Sequence, residues 1–136
     1  MSSHFPYVKL RGKYLPIIPL KIKGESGWLI YNAFVDSGAG YSVFQSDVAE
    51  DLNLELEGGT KQYVTVGDGS LIIIYIHRLD VQIGAEAFEA EIGFSRQLGI
   101  GFNIIGRRNV FDRFKICFNE EQKLIEFHEK SGEVKS

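Results

Sequence analysis

The chain has 136 residues, 44% of them hydrophobic and 24% charged, a size and balance suited to one globular domain that buries its own core. Its net charge is only −3 and its basic residues are scattered, apart from Arg107, Arg108, Arg113 and Lys115, so neither nucleic acid nor a membrane surface is expected as a partner. The single cysteine, Cys117, excludes an intrachain disulfide, and the longest apolar run, Leu71 to Ile76, is far too short for a helix to cross a bilayer.

The opening segment, Met1 to Tyr14, lacks the long apolar stretch of a signal peptide, and a cytoplasmic protein is expected. Val, Ile, Phe and Tyr then dominate, with Gly between segments, which is the pattern of strands. Strands are predicted at Tyr7–Leu10, Leu15–Lys23, Trp28–Val35, Gln62–Val66, Leu71–Ile83, Ala87–Gly93, Asn103–Ile105, Phe114–Asn119 and Leu124–His128. Pro16 and Pro19 predict that the second of these is irregular or at an edge, because proline cannot donate to a ladder. Glu25-Ser26-Gly27 reads as a hairpin turn, and Asn119 to Lys123 as the link between the last two strands. Ser46 to Leu52 predicts a short helix with Ser46 as its hydroxyl N-cap, and Arg107 to Phe111 a single helical turn. Cys117, flanked by Ile116 and Phe118, reads as a small buried hydrophobe. From Glu129 on the chain is polar and is expected to fray, so residues 1–136 make one domain with a short tail. Many short strands without alternating helices predict a mostly β barrel or sandwich with one or two short helices.

Within this pattern one stretch carries chemistry. Phe34-Val35-Asp36-Ser37-Gly38-Ala39 runs an apolar strand straight into a carboxylate. An unpaired buried charge is costly, so an acid fed by so apolar a strand is either a turn cap or a working group. Gly38 permits unusual backbone angles and close approach of N–H groups to the acid, Ser37 adds a hydroxyl, and Ala39 leaves room for the chain to fold back. Downstream, Ile104-Ile105-Gly106 is an apolar pair closed by glycine. Val66-Gly67-Asp68-Gly69-Ser70, between two predicted strands, reads as a hairpin tip.

These elements, in this order, resemble the retropepsin-like aspartic proteases, most closely in character their cellular and prokaryotic single-domain members. The likeness runs from about Tyr7 to Phe127. It implies a closed acid-protease-type β-barrel whose half-site is completed by dimerisation. It implies Asp36 as the catalytic acid, supported by Ser37, Gly38, Ala39, Ile104, Ile105 and Gly106. Val66, Gly67, Asp68, Gly69 and Ser70 become a flap over a peptide or protein substrate. The chain departs from the viral pattern at Gly40, where an acid commonly pairs with the arginine after the downstream glycine, here Arg107. Arg107 is then expected to face solvent or to pair elsewhere, with Asp112 as a candidate.

One motif supplies one carboxylate, and the chemistry needs two. A homodimer that sets Asp36 against its copy meets that need, giving an aspartic endopeptidase that activates water without cofactor or metal. His4, His77 and His128 show no metal-ligand spacing. The alternative reading is an inactive member of the fold used for dimerisation or peptide binding; in a third, Asp36 is only a turn residue of a structural β protein.

Overall fold

The computed structural model describes residues 2–99 and 101–130. Three sheets hold twelve strands: β1 (Ser2–Pro6), β2 (Val8–Leu10), β3 (Lys13–Leu15), β4 (Ile17–Gly24), β5 (Gly27–Val35), β6 (Ser42–Gln45), β7 (Thr60–Thr65), β8 (Leu71–Ile83), β9 (Glu86–Ser95), β10 (Asn103–Ile105), β11 (Phe114–Asn119) and β12 (Leu124–Glu129). One α-helix, α1 (Ser46–Asp51), and a 3₁₀ turn at Leu56–Gly58 are the helical parts among the described residues. The mostly β reading holds.

The main sheet has the order β4-β5-β10-β6-β9-β8-β7. It curls until its first strand meets β8, pairing Lys21 with Gln82 and Ile22 with Val81. β7 stays outside that loop of pairings as the outer arm of a hairpin with β8. A second sheet, β1-β12-β11, joins the N-terminal strand to the C-terminal hairpin, and β2 and β3 form a small hairpin of their own. The larger core cluster includes Ile18, Leu20, Ile22, Val35, Phe44, Phe94, Ile105, Ile125 and Phe127, all at 2% exposure or less. Side chains of this size each contribute about 1.5–3 kcal/mol on burial.

Several predicted elements need correction. Pro16 splits the predicted Leu15–Lys23 strand into β3 and β4. Pro19 remains inside β4 opposite Asn32, where β8 has not yet joined on the other side, so its missing N–H breaks no second ladder. The N-cap of α1 is Gln45, in extended backbone, and no side chain caps the helix; Ser46 is already helical. Arg107 to Phe111 forms successive turns instead of a helix, because Asn109 takes a left-handed φ of 67° in their midst. Glu129, expected to begin a frayed tail, closes β12 instead, and the rest of that expectation, residues 131–136, lies outside the described residues. Cys117 is only half-buried, opposite Glu126 of β12.

β1 and β6 were not predicted, and β3 was predicted only at Leu15. β3 rests on Arg11 and Gly12, whose φ values of 52° and 80° suit a two-residue hairpin turn. β1 is a polar Ser-Ser-His-Phe-Pro segment that becomes a strand because β12 offers it an edge.

Candidate active site

Asp36 stands at the end of β5, where three segments converge. β10 inserts between β5 and β6, pairing Ile104 and Ile105 in parallel with Phe34 and Val35, while Ile104 also opposes Val43. The Asp36 N–H continues that ladder, donating to the Ile105 carbonyl at 2.9 Å. Beyond β10 the chain is gripped again: Arg107 N–H donates to the Ala39 carbonyl and Arg108 N–H to the Gly40 carbonyl, both at 2.9 Å. Gly106 N–H donates to the buried Ser42 hydroxyl at 3.0 Å. Gly106 passes so close beneath the Ala39–Tyr41 backbone that a Cβ would stand 2.3 Å from the Tyr41 oxygen. Asn103 ties the start of β10 to both neighbours, accepting from Gln45 N–H at 2.9 Å and donating to the Asn32 carbonyl at 3.2 Å.

The turn itself is small. Gly38 N–H donates to Asp36 Oδ1 at 2.9 Å and Ala39 N–H to the Asp36 carbonyl at 3.2 Å. Gly38 does not use a left-handed φ, contrary to expectation; its value here is the close approach of its amide to the carboxylate. Asp36 is half-buried, whereas Ser37 and Gly38 are exposed. Among the described residues the Ser37 hydroxyl has no hydrogen-bond partner.

Facing the turn is the β7–β8 hairpin. Its tip is closed by Val66 N–H to the Ser70 carbonyl at 2.9 Å and Gly69 N–H to the Val66 carbonyl at 2.8 Å. Gly69 takes the left-handed φ of 88° that the tip demands. Asp68 Oδ1 accepts from both the Ser70 amide at 2.9 Å and the Ser70 hydroxyl at 2.5 Å, and these bonds hold its carboxyl below the usual carboxylate range. The hairpin base rests on a second apolar cluster of Val43, Ile72, Ile74 and Leu98, against which Val64, Val66 and Tyr41 pack.

Between turn and hairpin lies a groove of about 590 Å³. Asp36, Gly38, Ala39 and Gly40 form one wall, Val64 to Gly67 the other, with Val43, Leu98 and Ile104 contributing apolar surface. Of the residues singled out in sequence, Asp36, Gly38, Ala39, Ile104, Val66 and Gly67 line it, while Ser37, Ile105, Gly106, Asp68, Gly69 and Ser70 do not. Ile105 and Gly106 lie buried beneath it. Sequence reading missed Tyr41, Val43 and Leu98, which no local motif marks. As expected for a chain with Gly40 in place of an acid, Arg107 faces solvent. Arg108, not Arg107, is the anchored one: it pairs with Glu91 at 2.5 Å and its guanidinium lies 5.3 Å from the Tyr41 ring centre. Among the described residues no ion pair holds Arg107, and Asp112 is not its partner. No described helix is long and apolar enough to cross a membrane.

No protein-family model matches the chain, and no curated protein sequence does. Solved structures do. A retropepsin-like aspartic protease from Rickettsia conorii superposes with a TM-score of 0.63 over 93% of this chain and 91% of that one, at 15% identity. The EIAV protease complexed with the inhibitor HBY-793 superposes with a TM-score of 0.56 over 77% of this chain and 93% of that one, at 17% identity. At such identities the likeness speaks for architecture, and this chain has the fold of the retropepsin-like aspartic proteases.

Proposed function

We propose that the chain is one half of a homodimeric aspartic endopeptidase, with Asp36 as the catalytic acid. The observation that carries this reading is the shared groove: Asp36 and the hairpin residues Val64 to Gly67 line the same cleft. A turn cap alone would give no reason for a hairpin and an apolar channel to face it. The groove runs between the Asp36 turn and the end of β7, and its Val43, Val64, Val66, Leu98 and Ile104 surfaces suit the apolar side chains of a peptide.

In the dimer a two-fold axis brings Asp36 against its copy. Two adjacent carboxylates share one proton, as is established for aspartic proteases as a class. The ionised one takes a proton from a water lying between them, and that water attacks the peptide carbonyl. The protonated one polarises the carbonyl oxygen, and protons then pass to the leaving amine. The Gly38 amide keeps one Asp36 oxygen oriented, and the Ile105 carbonyl fixes the backbone beneath. Ser37, exposed and without a hydrogen-bond partner among the described residues, is available to bond across the axis. The Val66–Ser70 tip closes over the bound peptide and excludes water. No metal or cofactor enters this scheme.

The test is a peptide-library digest with wild type and Asp36→Asn. Asp36→Asn is expected to abolish cleavage and leave the melting temperature nearly unchanged, because the amide preserves shape and the Gly38 contact. Cleavage that survives the substitution removes Asp36 from the mechanism. Absence of cleavage by wild type, with peptides still bound in the groove, favours the inactive peptide-binding reading instead.

A further inference from the structure

The histidines show no metal spacing along the chain, yet the β1-β12-β11 sheet brings two of them together. Glu126 in the middle of β12 is directly opposite His4 on β1 and Cys117 on β11. Directly opposed residues of antiparallel strands project from the same face. His128, two residues along β12, shares that face. The inner face of the same hairpin is apolar: Phe114, Ile125 and Phe127 are buried. Cys117 is therefore not part of the Phe114 side of β11, as its flanking residues suggested; it sits on the polar side.

The ligand atoms are close. Those of Cys117, Glu126 and His128 all lie within 4.8 Å of one another, and each residue is half-buried. His128 Nε2 lies 3.0 Å from Glu126 Oε1. The His4 ring packs edge-on to that of His128, with centres 6.3 Å apart. Lys115, which opposes His128 across β11, is exposed.

We propose that Cys117, Glu126 and His128 form a binding site for a zinc-class divalent cation, with His4 closing a fourth corner. The compact group supplies a thiolate, one imidazole and a carboxylate, three donors of the kind zinc takes tetrahedrally, and His4, opposite Glu126 on β1, stands beside it as the fourth. Calcium and magnesium prefer all-oxygen shells and do not suit it. None of these residues lines the groove at Asp36, so the site is separate from the proposed catalysis. Its effect is structural: an ion there ties the N-terminal strand to the C-terminal hairpin.

The test uses the full chain with zinc, magnesium and cobalt salts. Titration calorimetry is expected to find one zinc per chain, unaffected by excess magnesium, with a melting temperature that climbs with zinc concentration. Cobalt is expected to give a thiolate-to-metal charge-transfer band. Cys117→Ser, His128→Gln and His4→Ala should each weaken zinc binding by more than the roughly 10-fold typical of losing an outer partner. The proposal is overturned if wild type binds no stoichiometric zinc, or if bound cobalt shows no thiolate band. It is also overturned if Cys117→Ser binds zinc as tightly as wild type. The cobalt spectrum needs no variant, and Asp36→Asn protein should give the same results.

Discussion

Gly106 is the residue on which the site's geometry turns. Its hypothetical Cβ would lie 2.3 Å and 2.5 Å from the Tyr41 carbonyl oxygen and carbon and 2.9 Å from the Ala39 oxygen, all backbone atoms that cannot swing aside. Gly106→Ala is expected to lower the unfolding free energy by about 1–3 kcal/mol in urea, in line with core overpacking. Gly40→Ala serves as a contrast, because nothing lies within 4 Å of its Cβ, and it should change stability by less than about 0.5 kcal/mol. Two tyrosines make a second prediction. Tyr7 and Tyr31 are raised from 10.0 to about 12, chiefly by burial and then by hydrogen bonds to Glu120 and Asp51 at 2.7 and 2.9 Å. A raised phenol favours the folded state while protonated, so this contribution is intact below pH 10.0 and is lost as pH rises toward about 12. Ultraviolet titration should find two late phenolates among the six tyrosines, and Tyr7→Phe should soften the alkaline loss of stability. Two phenols titrating at ordinary pH would refute it.

At the scale of elements, the hairpin tip is organised by one side chain. Asp68 accepts two bonds from Ser70, so Asp68→Ala should speed amide exchange at Ser70 while the melting temperature barely moves, since the tip is exposed. Because the Asp68 carboxyl is depressed, the tip should hold at neutral pH and loosen only as pH falls below the ordinary carboxylate range. Unchanged exchange in the variant would assign the tip's order to its backbone bonds alone. The tip was legible in sequence because Gly-Asp-Gly states a local φ preference. The Asn109 break was less so, since Arg107 to Phe111 has no proline or glycine to stop a helix. β1 was invisible, its polar residues having no strand pattern until β12 supplies hydrogen bonds.

For the whole molecule, one Asp36 per chain makes the proposed activity a property of pairs. Specific activity should fall on dilution through the dimer dissociation constant, and excess Asp36→Asn chain should suppress wild type by forming mixed dimers. Activity strictly proportional to concentration down to nanomolar protein, without suppression by the variant, would refute the shared site. The resemblance that suggested this arrangement was carried by few positions, Phe34 to Ala39 and Ile104 to Gly106. Their separation by some 60–70 residues is bridged by β10 entering between β5 and β6.

The amino-acid order alone determined the strand-rich character, the acid-bearing turn, the apolar pair with its glycine and the hairpin tip. Each rests on alternation, burial preference or φ preference, which act over a few residues. Tertiary structure decided the rest. It anchored Arg108 on Glu91, added Tyr41, Val43 and Leu98 to the groove, and moved Cys117 from a presumed core to the face of His4, Glu126 and His128. Those outcomes depend on strand register between distant segments, and a one-residue slip in register would reverse which face each side chain occupies.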